Sequence, residues 1–216
     1  GNTVVDNSMY QNDGEVRGNP QWVNGKFGSA LLFDGDGDCV EISHTDVLNM
    51  TEAVTMEMWV KAGAGAEVKQ TGIEKGSWEI GEYSLYPIYE GSTVVQFYDL
   101  PPACGDAGLR GKNIQDNEWH YLAGIWDGES IYLYIDGELD ASCECPGTLG
   151  TNTQAVYIGG RTASERFLTG TVDEVRLYNR ALTQAEVQKD MDTFGKAGIS
   201  PLEKTAVCWG EVKQEY

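Results

Sequence analysis

Between Trp119 and Gly137 the chain reads WHYLAGIWDGESIYLYIDG, with apolar side chains returning at every second position. His120, Leu122, Gly124 and Trp126 share one face of an extended strand, and Tyr121, Ala123 and Ile125 share the other. Asp127-Gly128 breaks the run, because glycine tolerates positive φ and aspartate bonds its own turn. Ile131, Leu133 and Ile135 then alternate with Tyr132 and Tyr134 before Asp136-Gly137 turns the chain again. Period-2 runs closed twice by Asp-Gly predict an antiparallel meander within an all-β domain.

The same alternation recurs elsewhere. VTMEMWVK (54–61) sets Val54, Met56, Met58 and Val60 against Thr55, Glu57 and Trp59. Both faces are partly apolar, which predicts an inner strand packed on two sides. TVDEVRLY (171–178) sets Val172, Glu174, Arg176 and Tyr178 against Asp173, Val175 and Leu177. Shorter strands are expected at 15–17, 30–33, 40–42, 80–89, 93–98 and 156–159, the last followed by a polar loop. Residues 62–118 are the least regular stretch, with 101–111 expected as a loop carrying Cys104. One helix is expected. Thr183 and Glu186 have capping-box spacing, and Val187, Met191 and Phe194 then fall on one face. In the tail, 199–216, the segment 206–209 is apolar and of strand length.

A length of 216 residues suffices for one well-buried β sandwich, and no linker interrupts the middle. The 27 glycines and six prolines are spread at intervals, as turns between many short strands require. A net charge of −19 argues against nucleic-acid and anionic-membrane partners. Solubility explains most of that charge, and a cation site would draw on a few of the carboxylates. No run of 18 apolar residues is present, so no membrane span is expected. No signal peptide is visible, and the chain opens on Gly1-Asn2-Thr3 as a mature or trimmed chain does. Cys39, Cys104, Cys143, Cys145 and Cys208 form no metal knuckle; two disulfides and one spare thiol are expected of an exported protein.

Six segments in order carry a resemblance: VVDNSMYQNDG (4–14), GKFGSALLFDGDGDCVEI (25–42), VTMEMWVK (54–61), NEWHYLAGIWDG (117–128), LYIDGEL (133–139) and GTVDEVRLYNRAL (170–182). Together they resemble the LamG-like jelly-roll domains of the concanavalin A-like lectin/glucanase superfamily. The resemblance implies an all-β, two-sheet antiparallel jelly-roll sandwich with one short C-terminal helix, over 1–198, followed by the tail 199–216. Family members usually carry an apolar strand ahead of the segment matching Gly1–Val4. The tail is expected to fill that place, within its own chain or by self-association with a neighbour through 199–216.

Glycosidases of this superfamily place two or three carboxylates at close alternate positions, and no E-x-D-x-x-E pattern occurs here. Glu79 and Glu82 lack that spacing, and Asp173 and Glu174 are neighbours that point to opposite faces of a strand. His120 lies within the Trp-His-Tyr strand and reads as structural; His44 falls in a loop. No catalytic residue is assigned. Calcium fits the composition better, since hard cations take carboxylate and carbonyl oxygens. Asp34, Asp36 and Asp38 imitate the start of an EF-hand loop, but Cys39 and Thr45 stand where glycine and glutamate belong. The resemblance points instead to a structural Ca2+ held by Asp173, with Asp6 and the Asp34-Gly35 turn as helpers. Sugar recognition uses exposed aromatic faces, and Trp78, Tyr83, Tyr86 and Tyr89 are the expected platform. Trp59, Trp119 and Trp126 belong in the core.

The expectation is therefore a secreted or cell-surface, non-catalytic module that binds a glycan or an extracellular protein. A structural subunit of an extracellular assembly, joined through its tail, is the alternative.

Overall fold

The computed structural model describes residues 3–63, 69–100, 108–161 and 165–193, together with the backbone of 205–209. In chain order the first strands are β1 (Thr3–Val4), β2 (Gly14–Arg17), β3 (Gln21–Asn24), β4 (Ser29–Asp34), β5 (Cys39–Ile42) and β6 (Val54–Ala62). Next come β7 (Lys69–Gln70), β8 (Ile73–Lys75), β9 (Tyr83–Tyr89), β10 (Ser92–Phe97), β11 (Leu109–Arg110) and β12 (Trp119–Trp126). The last are β13 (Ser130–Ile135), β14 (Glu138–Glu144), β15 (Val156–Ile158), β16 (Thr169–Tyr178), helix α1 (Gln184–Thr193) and β17 (Thr205–Trp209).

The meander forms as its pattern demands. Leu122 of β12 stands opposite Ile135 of β13 on one side and Met58 of β6 on the other. Met56, Met58 and Val60 join Leu122, Trp126, Ile131 and Leu133 in one buried cluster. Across the cluster lie Ile73, Leu85 and Val95 of the second sheet. Among the described residues the two antiparallel sheets run β1-β2-β5-β15-β8-β9-β10-β11, with β7 beside β9, and β14-β13-β12-β6-β16-β4-β3, with β17 beside β16. Packed face to face, they make the two-sheet jelly-roll sandwich that the resemblance implies. Trp126 is fully buried and its indole N–H donates to the Cys145 carbonyl at 3.0 Å.

The reverse face of β6 and β12 is buried as well. Trp59, Tyr121, Ala123 and Ile125 form a second cluster with Tyr178, Leu182 and Val187, so helix α1 covers the outside of this sheet. The helix starts where its capping box predicts: Thr183 N–H donates to Glu186 Oε2 at 2.8 Å, and Glu186 N–H to Thr183 Oγ1 at 3.3 Å. Val187 is buried and Met191 packs on the cluster, whereas Phe194 and Cys104 lie outside the described residues.

One alternation fails. Val172, Val175 and Leu177 all enter the central core, although Val172 was expected opposite the other two. Between Asp173 and Arg176 the register of β16 against β6 slips, and Glu174 takes a φ of +52°. That extra residue is a β-bulge, which returns the later apolar side chains to the interior. Segment 205–209 forms the expected tail strand and pairs with β16 of its own chain over Val175–Tyr178.

Cys39 and Cys143 are thiols and Cys145 is disulfide-bonded. With five cysteines in the chain, two thiols leave room for one bridge, not the two bridges expected. The C-x-C pair thus contains one bonded and one free sulfur, a distinction that spacing does not encode.

Candidate functional site

The outer face of the other sheet carries a charged aromatic cluster. Ile73 and Leu85 point into the core, so Glu74 and Ser84, paired across β8 and β9, point away from it. Glu74 accepts from the Tyr86 hydroxyl at 2.9 Å, and both residues are inaccessible to solvent. Their cover comes from two loops. Residues 76–82 form one, and the segment following β15 supplies Arg161 and Arg166.

Glu82 organises the first loop. Its carboxylate accepts the Trp78 backbone N–H, which holds Trp78 at a φ of +63°. Asn152 Nδ2 donates to the Ile80 carbonyl at 2.9 Å, and Gln154 Nε2 reaches the Glu79 carboxylate at 3.2 Å. A non-glycine residue in the left-handed region is unfavourable, and the surrounding bonds maintain it. The result is an indole that remains 58% exposed. Such a large apolar side chain held outward is informative in a way that a scattered surface leucine is not.

Arg161 lies beneath it, 1% exposed, with its guanidinium carbon 5.0 Å from the Trp78 ring centroid. Its Nε sits 2.9 Å from Glu74 Oε1 and donates to Ser77 Oγ at 3.2 Å. Nη2 stands 4.0 Å from Glu82 Oε2 and has no hydrogen-bond partner. Arg166 is half-buried. Its Nη1 donates to the Tyr86 hydroxyl at 3.2 Å, and its guanidinium carbon lies 5.6 to 5.7 Å from the rings of Trp78, Tyr86 and Tyr89. Tyr86 and Tyr89 meet edge to face with centroids 5.3 Å apart.

Burial dominates the acid–base behaviour here. It pushes the Glu74 carboxyl up to about 8, helped by the nearby Glu82 and opposed by Arg161, Tyr86 and Arg166. Glu82 is raised for the same reason, against the pull of the Trp78 N–H and Arg161. The Tyr86 phenol is raised by burial and by Glu74. Lys75, whose ammonium donates to the Asn152 carbonyl at 3.0 Å, is lowered by burial to about 8.

Of the four aromatics expected to form a platform, the structure gathers Trp78, Tyr86 and Tyr89 around Arg166. Tyr83 is not with them. It is buried between the sheets, where its hydroxyl donates to the Leu48 carbonyl at 3.1 Å. The one-residue step from Ser84 to Leu85 separates the two faces, and Tyr83 shares the inner one with Leu85. Tyr86 is covered rather than open, so Trp78 and the half-buried Tyr89 present the accessible rings.

Sequence reasoning overlooks the charged half of the cluster. Glu74 lies on a three-residue strand, too short to display alternation, and Glu82 has only Glu79 as an acidic neighbour in the local sequence. The arginines stand in a stretch read as a polar loop. One trace of them is visible: two arginines five residues apart in a chain with 15 basic against 34 acidic side chains.

The expected calcium ligands Asp6, Asp34 and Asp173 each hold a loop or turn. Asp6 organises its own loop, accepting Ser8 N–H at 2.8 Å, Ser8 Oγ at 2.7 Å and Asn12 N–H at 2.7 Å. Asp34 accepts the Asp36 N–H at 2.8 Å, and Gly35 packs against Thr169. Asp173 accepts the Phe27 N–H at 2.9 Å, which fastens the turn between β3 and β4. Asp34 stands opposite Thr169, and Asp173 lies four residues further along the same strand, about 13 Å away. Oxygens around one calcium ion sit about 2.3–2.6 Å from it, so these two carboxylates do not share one. Among the described residues no group of three His, Cys, Asp or Glu side chains is placed to hold a metal ion.

A family model for the concanavalin A-like lectin/glucanases superfamily, Laminin_G_3, matches residues 34–188. The chain belongs to that superfamily. Human pappalysin-1 is 23% identical over 209 residues, which cover 87% of this chain and 12% of pappalysin-1; mouse pappalysin-1 gives the same figures over 210 residues. The chain thus spans about an eighth of the curated relatives it matches. Among solved structures, domain 4 of an extracellular GH43 arabinanase from Geobacillus stearothermophilus, in complex with arabinotriose, superimposes with a TM-score of 0.65. It is 21% identical, with 81% of this chain and 82% of that one covered. A botulinum neurotoxin type C structure, described with cell entry that depends on two ganglioside molecules, gives a TM-score of 0.66 at 13% identity, covering 88% and 50%. These likenesses establish the fold. Among the described residues no helix is long and apolar enough to cross a membrane.

Proposed function

We propose that the chain is a non-catalytic glycan-recognition module acting outside the cell or at its surface, and that it binds sugar on the cluster around Trp78. The observation that carries this reading is the Trp78 indole, held outward by the Glu82 carboxylate and flanked by two guanidiniums. A flat apolar ring bordered by hydrogen-bonding groups suits a pyranose, whose C–H face stacks while its hydroxyls bond at the edge. The arabinotriose and ganglioside named with two structures of this fold accord with it. The binding reading does not depend on a calcium ion.

Glu74 and Glu82 do not turn the site into a glycosidase. They are 0% and 1% exposed and are engaged with Arg161, the Tyr86 hydroxyl and the Trp78 N–H, so a glycosidic oxygen does not reach them. A glycan array probed with the whole chain and with Trp78→Ala tests the proposal. Hits that disappear in the variant support it, and hits that survive place binding elsewhere.

A second reading is that of an assembly subunit. Strand β17 completes the edge of β16 from the end of the chain, and the same pairing made in a neighbouring copy would join subunits. Size-exclusion chromatography with and without 199–216 separates the two: oligomers that vanish on truncation favour assembly.

A further inference from the structure

The arginines of this chain are paired with acids, with one exception among the described residues. Arg17 contacts Glu15 and Glu41, Arg110 contacts Glu90, Arg176 contacts Asp190 and Arg180 contacts Glu186, each within 4.0 Å. Arg161 has Glu74 at 2.9 Å. Arg166 has no carboxylate of the described residues within that distance, although acidic side chains outnumber basic ones by 34 to 15 in the chain. Among the described residues its guanidinium donates to a neutral phenol and to no carboxylate. Directly beside it, the buried Arg161 also keeps an unpartnered Nη2.

A partly desolvated guanidinium with no carboxylate of the described residues in contact is unfavourable by itself, and three aromatic faces compensate only in part. An incoming carboxylate would supply what is missing. The planar fork accepts it through two parallel N–H bonds, a geometry in which arginine outperforms lysine. A sugar acid combines that group with a C–H face for Trp78.

We propose that Arg166, backed by Arg161, receives the carboxylate of an acidic sugar residue while Trp78 stacks on its ring. This rests on the glycan-binding reading of the same cluster. Uronates and sialic acids share the required chemistry, and the site discriminates an acidic glycan from its neutral counterpart.

Calorimetric titration of the whole chain tests this with five probes: tetragalacturonate, its methyl ester, 3′-sialyllactose, lactose and 6-sulfolactose. At least one acid is expected to bind about tenfold or more tightly than its neutral counterpart. In Arg166→Gln the acidic and neutral forms should converge, and Arg166→Lys should recover only part of the preference. An unchanged melting temperature shows that these variants remain folded. Equal affinity for acid and neutral forms, or a preference that survives Arg166→Gln, overturns the carboxylate assignment while leaving the glycan site in place. Binding of 6-sulfolactose without binding of either carboxylate overturns it too. Absence of binding to acidic and neutral sugars alike brings down the glycan reading along with the inference.

Discussion

Arg161 Nε lies 2.9 Å from Glu74 Oε1, with both side chains removed from solvent. This pair is the foundation of the cluster. It anchors the segment after β15 to the short strand β8, and it sets the guanidinium beneath the exposed indole of Trp78.

Arg161→Met should destabilise the protein by about 3 kcal/mol, the low end for breaking a buried pair, because it leaves the buried Glu74 carboxyl without its guanidinium partner. Adding Glu74→Gln to that variant should recover part of the loss. Denaturant unfolding of the four members of this cycle measures the coupling. Additive effects would show that the contact contributes nothing.

Stability should decline between about pH 5 and pH 8. Glu74 ordinarily titrates at 4.5 but is raised to about 8 in the native state, so the folded chain holds a proton that the unfolded chain releases. Native stabilisation is complete below 4.5 and is lost as pH climbs through 8. Glu57, buried beside Asp190 and also raised, acts in the same direction. Lys75 acts oppositely, but only between about 8 and its ordinary 10.5. Melting temperatures taken from pH 5 to 8 should therefore slope downward, and the slope should flatten in Glu74→Gln. An identical slope in that variant would contradict the assignment.

Trp78→Ala should leave folding nearly intact, within about 0.5 kcal/mol, since a surface side chain away from the core is removed. A large drop in melting temperature would identify the indole as a structural cover over Arg161 rather than a presented face.

Removing 199–216 strips β17 from Val175–Tyr178 and leaves that edge of β16 unpaired. With the strand in its own chain, the intact protein should elute as a monomer and the truncated form should melt at a lower temperature. Unchanged melting would mean that the strand contributes no stability.

The scaffold is legible in the sequence because period-2 alternation is long and strict in β6, β12 and β13, where register against two neighbours leaves no alternative. It fails at β16, where a bulge at Glu174 inverts the faces and nothing in TVDEVRLY announces the extra residue. The site is half legible. Trp78, Tyr86 and Tyr89 stand out as aromatics in an irregular stretch, whereas Tyr83 looks identical to them and turns inward. Glu74 and Arg161 are 87 positions apart in the chain and meet only because β8 and β15 pair. Such a contact leaves no local pattern.

The sharpest test follows the Trp78 indole N–H and the Arg166 side-chain resonances by NMR as a glycan identified on the array is titrated into the labelled chain. The account predicts that these signals shift first and furthest, with Tyr89 beside them. Shifts confined to the face beneath helix α1, or to the loop around Asp6, with Trp78 and Arg166 unmoved, would contradict it.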